Sequence, residues 1–408
     1  MAENASFCFG GEASLPLHYF SRLRKRGIET WLIVHGRTRS ELEALFPLDQ
    51  SRIQYIPDKW YHKLIWTLGR PLPRPVAEAT FGTLMVLINQ LIQRNMIKQL
   101  IQDRGINLIH QPIPVSPKAP SFISGLRVPV IIGPMNGGMS YPPAFRESES
   151  IFTRFTVALG RSSANLVNRI VTGKKSASLL LVANERTRLA LPSCVQGEIL
   201  EIPENGVDFE IWKLPVKVEP VAAGVPARFL FIGRLVELKR LDFVLHALAA
   251  IPDAQLEIVG DGPMRSSWTA LAQSLGIANR VHWLGWLPQQ DCAQLLHGAT
   301  ALLLPSIHEC GGAVVLEAMA CGVPAVAINW GGPADYLNAS CGMLVEPSSA
   351  SAITQGFKEA MQALIASPSL RSQLGSAGRL RVEEFFDWEQ KTDQILNIYR
   401  KTMDAPTG

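Results

Sequence analysis

The apolar residues of the second half fall in short runs at near-regular intervals. Strand-like runs are Phe229–Ile232, Leu256–Val259, Val281–Leu284, Ala301–Leu304, Ala325–Ile328 and Met343–Val345, with helix-length stretches between them. Short continuous apolar runs suit strands buried on both faces, and their alternation with helices predicts a parallel sheet covered on each side. The first half repeats the theme less regularly, at Trp31–Val34, Gln54–Ile56, Leu108–Ile109, Val130–Ile132 and Leu179–Val182. A long helical stretch runs from Val76 to Asp103. The pattern predicts an α/β protein of two Rossmann-like βαβ domains, residues 1–200 and 201–387. The boundary is placed at Glu198–Asp208. A looser connector, WKLPVKVEPVAAGVPA, follows at 212–227, and a last helix is expected over 388–402. No repeat with a period of 20–50 residues is present.

Composition agrees with this outline. A chain of 408 residues exceeds what one core usually supports, since single cores rarely grow beyond about 250–300 residues. No run approaches the roughly 18 apolar residues of a membrane span, and MAENASFCFGG has neither a basic nor a long apolar leader region. The six cysteines form no CxxC pair, which gives no support to a zinc ribbon or redox pair, and scattered cysteines suit a reducing cytoplasm. The net charge of +4 conceals an asymmetry. Residues 1–200 hold 24 Lys+Arg and 13 Asp+Glu, or +11; the other 208 hold 15 and 22, or −7. A basic half suits an anionic partner such as a phospholipid surface, a lipid-phosphate acceptor or an acidic glycan; a generic basic surface explains it equally well. Within it, KWYHKLIWTLGR at 59–70 mixes cations with Trp60, Tyr61 and Trp66. That mixture suits a membrane interface, and core packing of the tryptophans is the plainer reading.

The densest chemistry lies at 305–324, PSIHECGGAVVLEAMACGVP. Glu309 sits in a Gly-rich turn after the run Ala301–Leu304. Glu317 sits in the otherwise apolar helical run Gly312–Ala320. A lone carboxylate there needs partners, because burying an unpaired charge is costly. Between the acids a glycine opens a helix N-terminus, which suits a diphosphate. A helix with one satisfied core Glu and one loop Glu is the plainer alternative.

This segment resembles the signature PS-x-x-E-G-F-G-x-V-x-x-E-A-M-A-x-G-x-P of the retaining glycosyltransferases of family 4 (glycosyl transferases group 1), which have the GT-B fold. Pro305, Ser306, Glu309, Gly312, Val314, Glu317, Ala318, Met319, Ala320, Gly322 and Pro324 match; Cys310 and Gly311 replace the usual Gly and Phe. The departure bears on the shape of the sugar pocket. The resemblance implies two Rossmann-like domains facing across a cleft, with the final helix returning to the first. It implies a nucleotide-diphosphate sugar as co-substrate, with Glu317 on the ribose, Glu309 on the transferred sugar and the backbone at Gly312, Ala313 and Val314 on the phosphates. Gly233-Arg234-Leu235 with Lys239 resembles the family's G-R-L-x-x-x-K segment, whose two cations would neutralise the diphosphate. Gly260-Asp261-Gly262-Pro263 resembles its V-G-D-G-P turn, which serves as well as a tight strand–helix turn.

Three features of the first half extend the resemblance. Gly10-Gly11 precedes a helical run from Glu12 to Arg26, where the family has a diphosphate-facing loop. Family members place a full strand before this loop, and only Ser6–Phe9 is available here; either the strand is very short or the start has been assigned downstream of the true one. His110 ends a strand and matches the histidine that lines the donor-sugar and acceptor site, although a solitary His more often packs. Asn136-Gly137-Gly138 resembles the G-P-x-N-G-G segment of one branch of the family and serves as acceptor contact or structural turn. The implied catalytic set is His110, Glu309, Arg234 and Lys239. The partners are a nucleotide-sugar donor, a glycan or lipid-linked acceptor and an anionic membrane surface, with no nucleic acid. No cofactor and no metal are expected, since the cations can replace one. The same residues leave room for a non-catalytic sugar-nucleotide-binding protein or a GT-B epimerase; a nicotinamide enzyme is disfavoured because no G-x-G-x-x-G follows an N-terminal strand.

Overall fold

The computed structural model describes residues 1–9, 11–71, 74–148, 164–215 and 225–404. It divides into two compact units, one of Met1–Gly138, Ser150–Glu204 and Lys391–Gly408, the other of Met139–Glu149 and Asn205–Gln390. Among the described residues every strand pairing is parallel.

In the first unit β1 (Leu32–His35) pairs with β2 (Ile53–Ile56), and β3 (Ile109–Gln111), β4 (Val130–Met135), β5 (Leu179–Val182) and β6 (Glu198–Glu201) form a second ladder in chain order. The backbone of residues 1–3 lies between the two ladders. Ala2 N–H donates to the Ile33 carbonyl, His35 N–H to the Glu3 carbonyl, and the Met1 amino group to the His110 carbonyl. The expected strand at Ser6–Phe9 is not one; those residues bend ahead of helix Gly11–Lys25. The second ladder is wider than the sequence pattern predicts, because β6 falls within the expected boundary. Its EILE exposes a glutamate at each end, as an edge strand can. The C-terminal helix, Trp388–Asp404, buries Trp388, Thr392, Ile395 and Tyr399, a spacing of three and four that gives one inward stripe.

The second unit holds β7 (Ala227–Ile232), β8 (Ala254–Val259), β9 (Val281–Gly285), β10 (Ala301–Leu304), β11 (Ala325–Ile328) and β12 (Met343–Val345). Their spatial order is β12-β11-β10-β7-β8-β9. The chain starts in the middle, at β7, builds outward through β8 and β9, then crosses to β10 and builds the other way. The order therefore reverses between β7 and β10, and in open α/β sheets ligands bind beyond the carboxyl ends of the strands at such a point. The two central strands facing this switch read FLFI and ALLL, with Leu302, Leu303 and Leu304 fully buried, as a sheet covered on both faces requires.

Candidate functional site at the switch point

The loop after β7 and the loop after β10 are tied together where the strand order reverses. Ile307 N–H donates to the Leu238 carbonyl at 3.1 Å. This bond sets the short 3-10 turn Glu237–Lys239 opposite Glu309, and Lys239 forms an ion pair with the Glu309 carboxylate. Both side chains are about five-sixths buried, at 17% exposure each. The ammonium also lies beside Gly233, where a Cβ would stand 3.8 Å from Nζ. Glu309 is fixed from the other side by the loop after β11: Gly332 N–H donates to its carbonyl at 2.8 Å. Helix Ala313–Ala320 starts alongside, because a Cβ on Gly312 would fall 3.1 Å from Glu309 Cγ. Gly312 is left-handed at φ 82° and brings no side chain to cap the first-turn N–H groups around Ala313 and Val314. A cation, a carboxylate and an uncapped helix N-terminus thus meet at the switch point, an arrangement suited to an anionic oxygen-rich ligand. Arg234, next to Gly233, is exposed, and its guanidinium has no hydrogen bond or ion pair among the described residues.

Glu317 lies in the second turn of the same helix, and its carboxylate makes no hydrogen bond or ion pair among the described residues. It keeps some exposed surface, yet desolvation pushes its carboxyl up to about 8. Its neighbours register the charge: the Cys292 and Cys321 thiols are pushed up to about 12, first by burial and then by Glu317.

Gly260 packs rather than opens. Its φ is 126°, and a Cβ would lie 2.0 Å from the Gly233 carbonyl oxygen. The turn is locked to the Gly233–Leu235 loop by Leu235 N–H to the Asp261 carbonyl and Met264 N–H to the Leu235 carbonyl. Gly260→Ala is expected to cost at least about 2 kcal/mol, since neither backbone can yield. Urea denaturation measures it, and an unchanged midpoint would show that the two loops do not support each other.

The residues expected around the acceptor are held within the first unit. His110 uses both ring nitrogens, Nδ1 with the Tyr399 hydroxyl at 2.6 Å and Nε2 with the Gly133 carbonyl at 2.6 Å. A carbonyl only accepts, so Nε2 carries the proton and Nδ1 accepts from Tyr399. Burial holds this imidazole down to about 3. No ring nitrogen is left over to meet a sugar in this arrangement. Asn136 donates its amide to the Glu204 carboxylate at 2.7 Å. Gly137 N–H donates to Thr187 Oγ1, and a Cβ on Gly137 would strike the Pro117 ring. Gly11 is exposed as the first residue of its helix; Gly10 lies outside the described residues.

Sequence reasoning missed three things. Segment 139–148 belongs to the second unit and lies over the loops around Glu309: Ser140 carbonyl accepts from the Trp330 indole at 2.7 Å, and the Tyr141 ring lies against His308 at 4.8 Å. Nothing in its composition announces this, although Trp330-Gly331-Gly332 after β11 could have marked a third loop of the site. In the first unit His35, Asp58 and His62 gather at the carboxyl ends of β1 and β2, with ligand atoms within 4.8 Å of one another. Both Nδ1 atoms accept backbone N–H groups, and His62 Nε2 lies 3.0 Å from Asn89 Oδ1. The ring nitrogens are thus mostly committed to the protein. The third is an apolar cavity of about 290 Å³, lined by Phe20, Leu23, Trp31, Leu100, His110 and Tyr399 among others. It lies toward the amino ends of β1 and β3, the end at which open α/β sheets do not bind ligands.

Residues 218–381 match the family model of glycosyl transferases group 1. The chain is 32% identical over 168 residues to the lipopolysaccharide core biosynthesis glycosyltransferase LpsE of Rhizobium meliloti, covering 41% of this chain and 48% of that protein. It is 35% identical over 177 residues to the GDP-mannose-dependent monoacylated alpha-(1-6)-phosphatidylinositol monomannoside mannosyltransferase of Corynebacterium glutamicum, covering 41% and 45%. The chain therefore spans about half the length of these relatives. Solved structures match over nearly the whole chain. A glycosyltransferase from Rickettsia africae superposes with a TM-score of 0.70 at 18% identity, covering 99% of this chain and 98% of that one. Anabaena Alr3699/HepE in complex with UDP gives 0.65 at 17%, covering 98% of each. The architecture of the two units is the GT-B fold. The match to the group 1 glycosyltransferase family lies within the second unit.

Proposed function

We propose that this protein is a retaining glycosyltransferase of family 4. It moves a sugar from a nucleotide-diphosphate sugar to a glycan or lipid-linked acceptor, in bacterial polysaccharide or glycolipid synthesis. The observation that carries this reading is the meeting of Lys239, Glu309 and the N-terminus of helix Ala313–Ala320 at the switch point of the second sheet. The activities of LpsE and the mannosyltransferase support the class, and HepE structures holding UDP and UDP-glucose support the donor type.

The donor diphosphate takes the place between Lys239, Arg234 and the amides at Ala313 and Val314. Its arrival draws Lys239 from Glu309, freeing that carboxylate to accept from hydroxyls of the transferred sugar. Glu317 accepts from the ribose hydroxyls. In the transfer step the bond from the anomeric carbon to the diphosphate oxygen breaks, and the acceptor oxygen bonds to that carbon on the same face. The acceptor proton passes to the departing phosphate. Lys239 and Arg234 stabilise the charge that grows on the diphosphate, which is where fixed cations act most strongly. On this account they do the work of a metal ion.

A thermal-shift screen of UDP-, GDP- and ADP-sugars tests donor binding, since a ligand of the native state raises the melting temperature. One donor class should stabilise the protein; none doing so would remove the assignment. With the donor known, the coupling constant of the new glycosidic bond is expected to show the donor's own α configuration. A β-linked product from an α-linked donor would mean inversion, and binding without turnover would leave a sugar-nucleotide-binding protein.

A further inference from the structure

Helix Trp60–Gly69 of the first unit turns its apolar side outward. The residues it buries are His62, Ile65 and Gly69. Trp60 is 75% exposed, Leu64 47% and Leu68 51%, and the four-residue spacing sets them in a row on the opposite side. Trp66 is 61% exposed, with the Arg70 guanidinium 5.0 Å from its ring. A surface helix ordinarily faces its apolar stripe to the core and its polar residues to water; here a histidine is inside and two tryptophans and two leucines are outside. Lys59, Lys63 and Arg70 are exposed around this row and make no ion pair among the described residues. The helix packs on the π-helical turn Glu78–Gly82, where the Gly69 Cβ position lies 3.4 Å from Phe81. That turn leads into helix Thr83–Arg104, whose Leu84 and Leu91, two turns apart, are also exposed. From 59 to 104 the sequence holds seven Lys or Arg and two Asp or Glu.

We propose that helix Trp60–Gly69 docks this protein on an anionic lipid bilayer. The helix lies in the plane of the interface, with Trp60, Leu64 and Leu68 at the boundary of headgroups and acyl chains and Lys59, Lys63 and Arg70 on lipid phosphates. Two features select a bilayer over a protein partner. Tryptophan and lysine side by side on an exposed face suit the headgroup layer, where an amphipathic ring and a snorkelling cation are both satisfied. Three cations without an ion pair among the described residues would need three matching acids in a dry protein interface, whereas an anionic leaflet offers a continuous layer of negative charge. Among the described residues no helix is long and apolar enough to cross a membrane, so an attachment made here is peripheral. The inference stands apart from the glycosyl-transfer reading, because vesicle binding needs no turnover.

Flotation of the full chain with phosphatidylcholine vesicles, with and without phosphatidylglycerol, tests it. The protein is expected to float with the anionic vesicles, to bind neutral ones far less, and to release as salt rises. Trp60→Ser with Trp66→Ser, and separately Lys59→Glu with Lys63→Glu and Arg70→Glu, should each cut the bound fraction by roughly tenfold or more. Their thermal shift with the donor should stay that of the wild type. If the tryptophan variant fails to fold, the charge variant alone decides. Equal binding to both vesicle types, binding untouched by a folded variant, or no binding at all overturns the proposal. So does sedimentation showing that the wild type self-associates through this face and that the tryptophan variant is monomeric.

Discussion

Lys239→Ala is expected to lower kcat by about 10²–10³-fold at saturating donor, the usual effect of removing one fixed group that faces developing charge. Lys239 is placed by its turn, by Gly233 and by the loop bond from Ile307, so its ammonium is held in position before any ligand arrives. A structural ion pair would also lose something on substitution, and the pair Lys239–Glu309 allows the two roles to be told apart. If the pair only braces the loops, each single variant is destabilised and Lys239→Ala with Glu309→Ala together recover stability and turnover, because neither charge is left alone. If the pair belongs to the site, the double variant stays as slow as the worse single one. Arg234→Ala is the cleaner companion. Its side chain is exposed and without a partner among the described residues, so stability should change within about 0.5 kcal/mol, while turnover falls. Steady-state kinetics with denaturation midpoints decide the matter, and near-normal kcat in both variants would remove the diphosphate from this place.

The parts of this molecule that were legible in its sequence are those where local pattern and tertiary role coincide. Central parallel strands must be apolar on both faces, so ALLL and AVAI could be read as β10 and β11 to the residue. The turn at Gly260 and the helix start at Gly312 were visible because a positive φ or a close backbone approach selects glycine. What could not be read is settled by distant partners. The nitrogen of His110 that meets Tyr399 does so across 289 residues, and the Asn136 amide finds its carboxylate 68 residues on. Both motifs resemble ligand contacts in sequence, while their side chains are engaged inside the first unit. Strand β6 escaped notice because an edge needs no continuous apolar run. Segment 139–148 was invisible for a different reason: Trp330, His308 and Phe243 determine where it packs, and all three lie far along the chain.

Glu317 should make the ligand-free protein less stable as the solution becomes more alkaline. Its folded carboxyl is pushed from an ordinary 4.5 to about 8 by desolvation. Below pH 4.5 it is protonated in both folded and unfolded chains and carries no penalty. Between 4.5 and 8 the unfolded chain loses this proton while the folded one keeps it, so folding grows less favourable with each unit of pH, by at most about 1.4 kcal/mol. Above 8 both forms are ionised and the penalty is complete, of the order of a few kcal/mol. Other carboxylates titrate as well, so the measurement is the difference between wild type and Glu317→Gln, which keeps the shape and removes the proton. The variant should gain on the wild type steadily from pH 5 to 8.5 in thermal melts. The same substitution should weaken the stabilising donor by roughly tenfold to a hundredfold, the loss of a hydrogen bond from a ribose hydroxyl to a charged acceptor, as calorimetry at pH 8.5 would read. On the proposed reading, a carboxylate that costs folding is retained in an apolar helix because it holds the donor. Equal donor affinity in the variant, with the stability difference present, would leave Glu317 a buried acid with no part in the site.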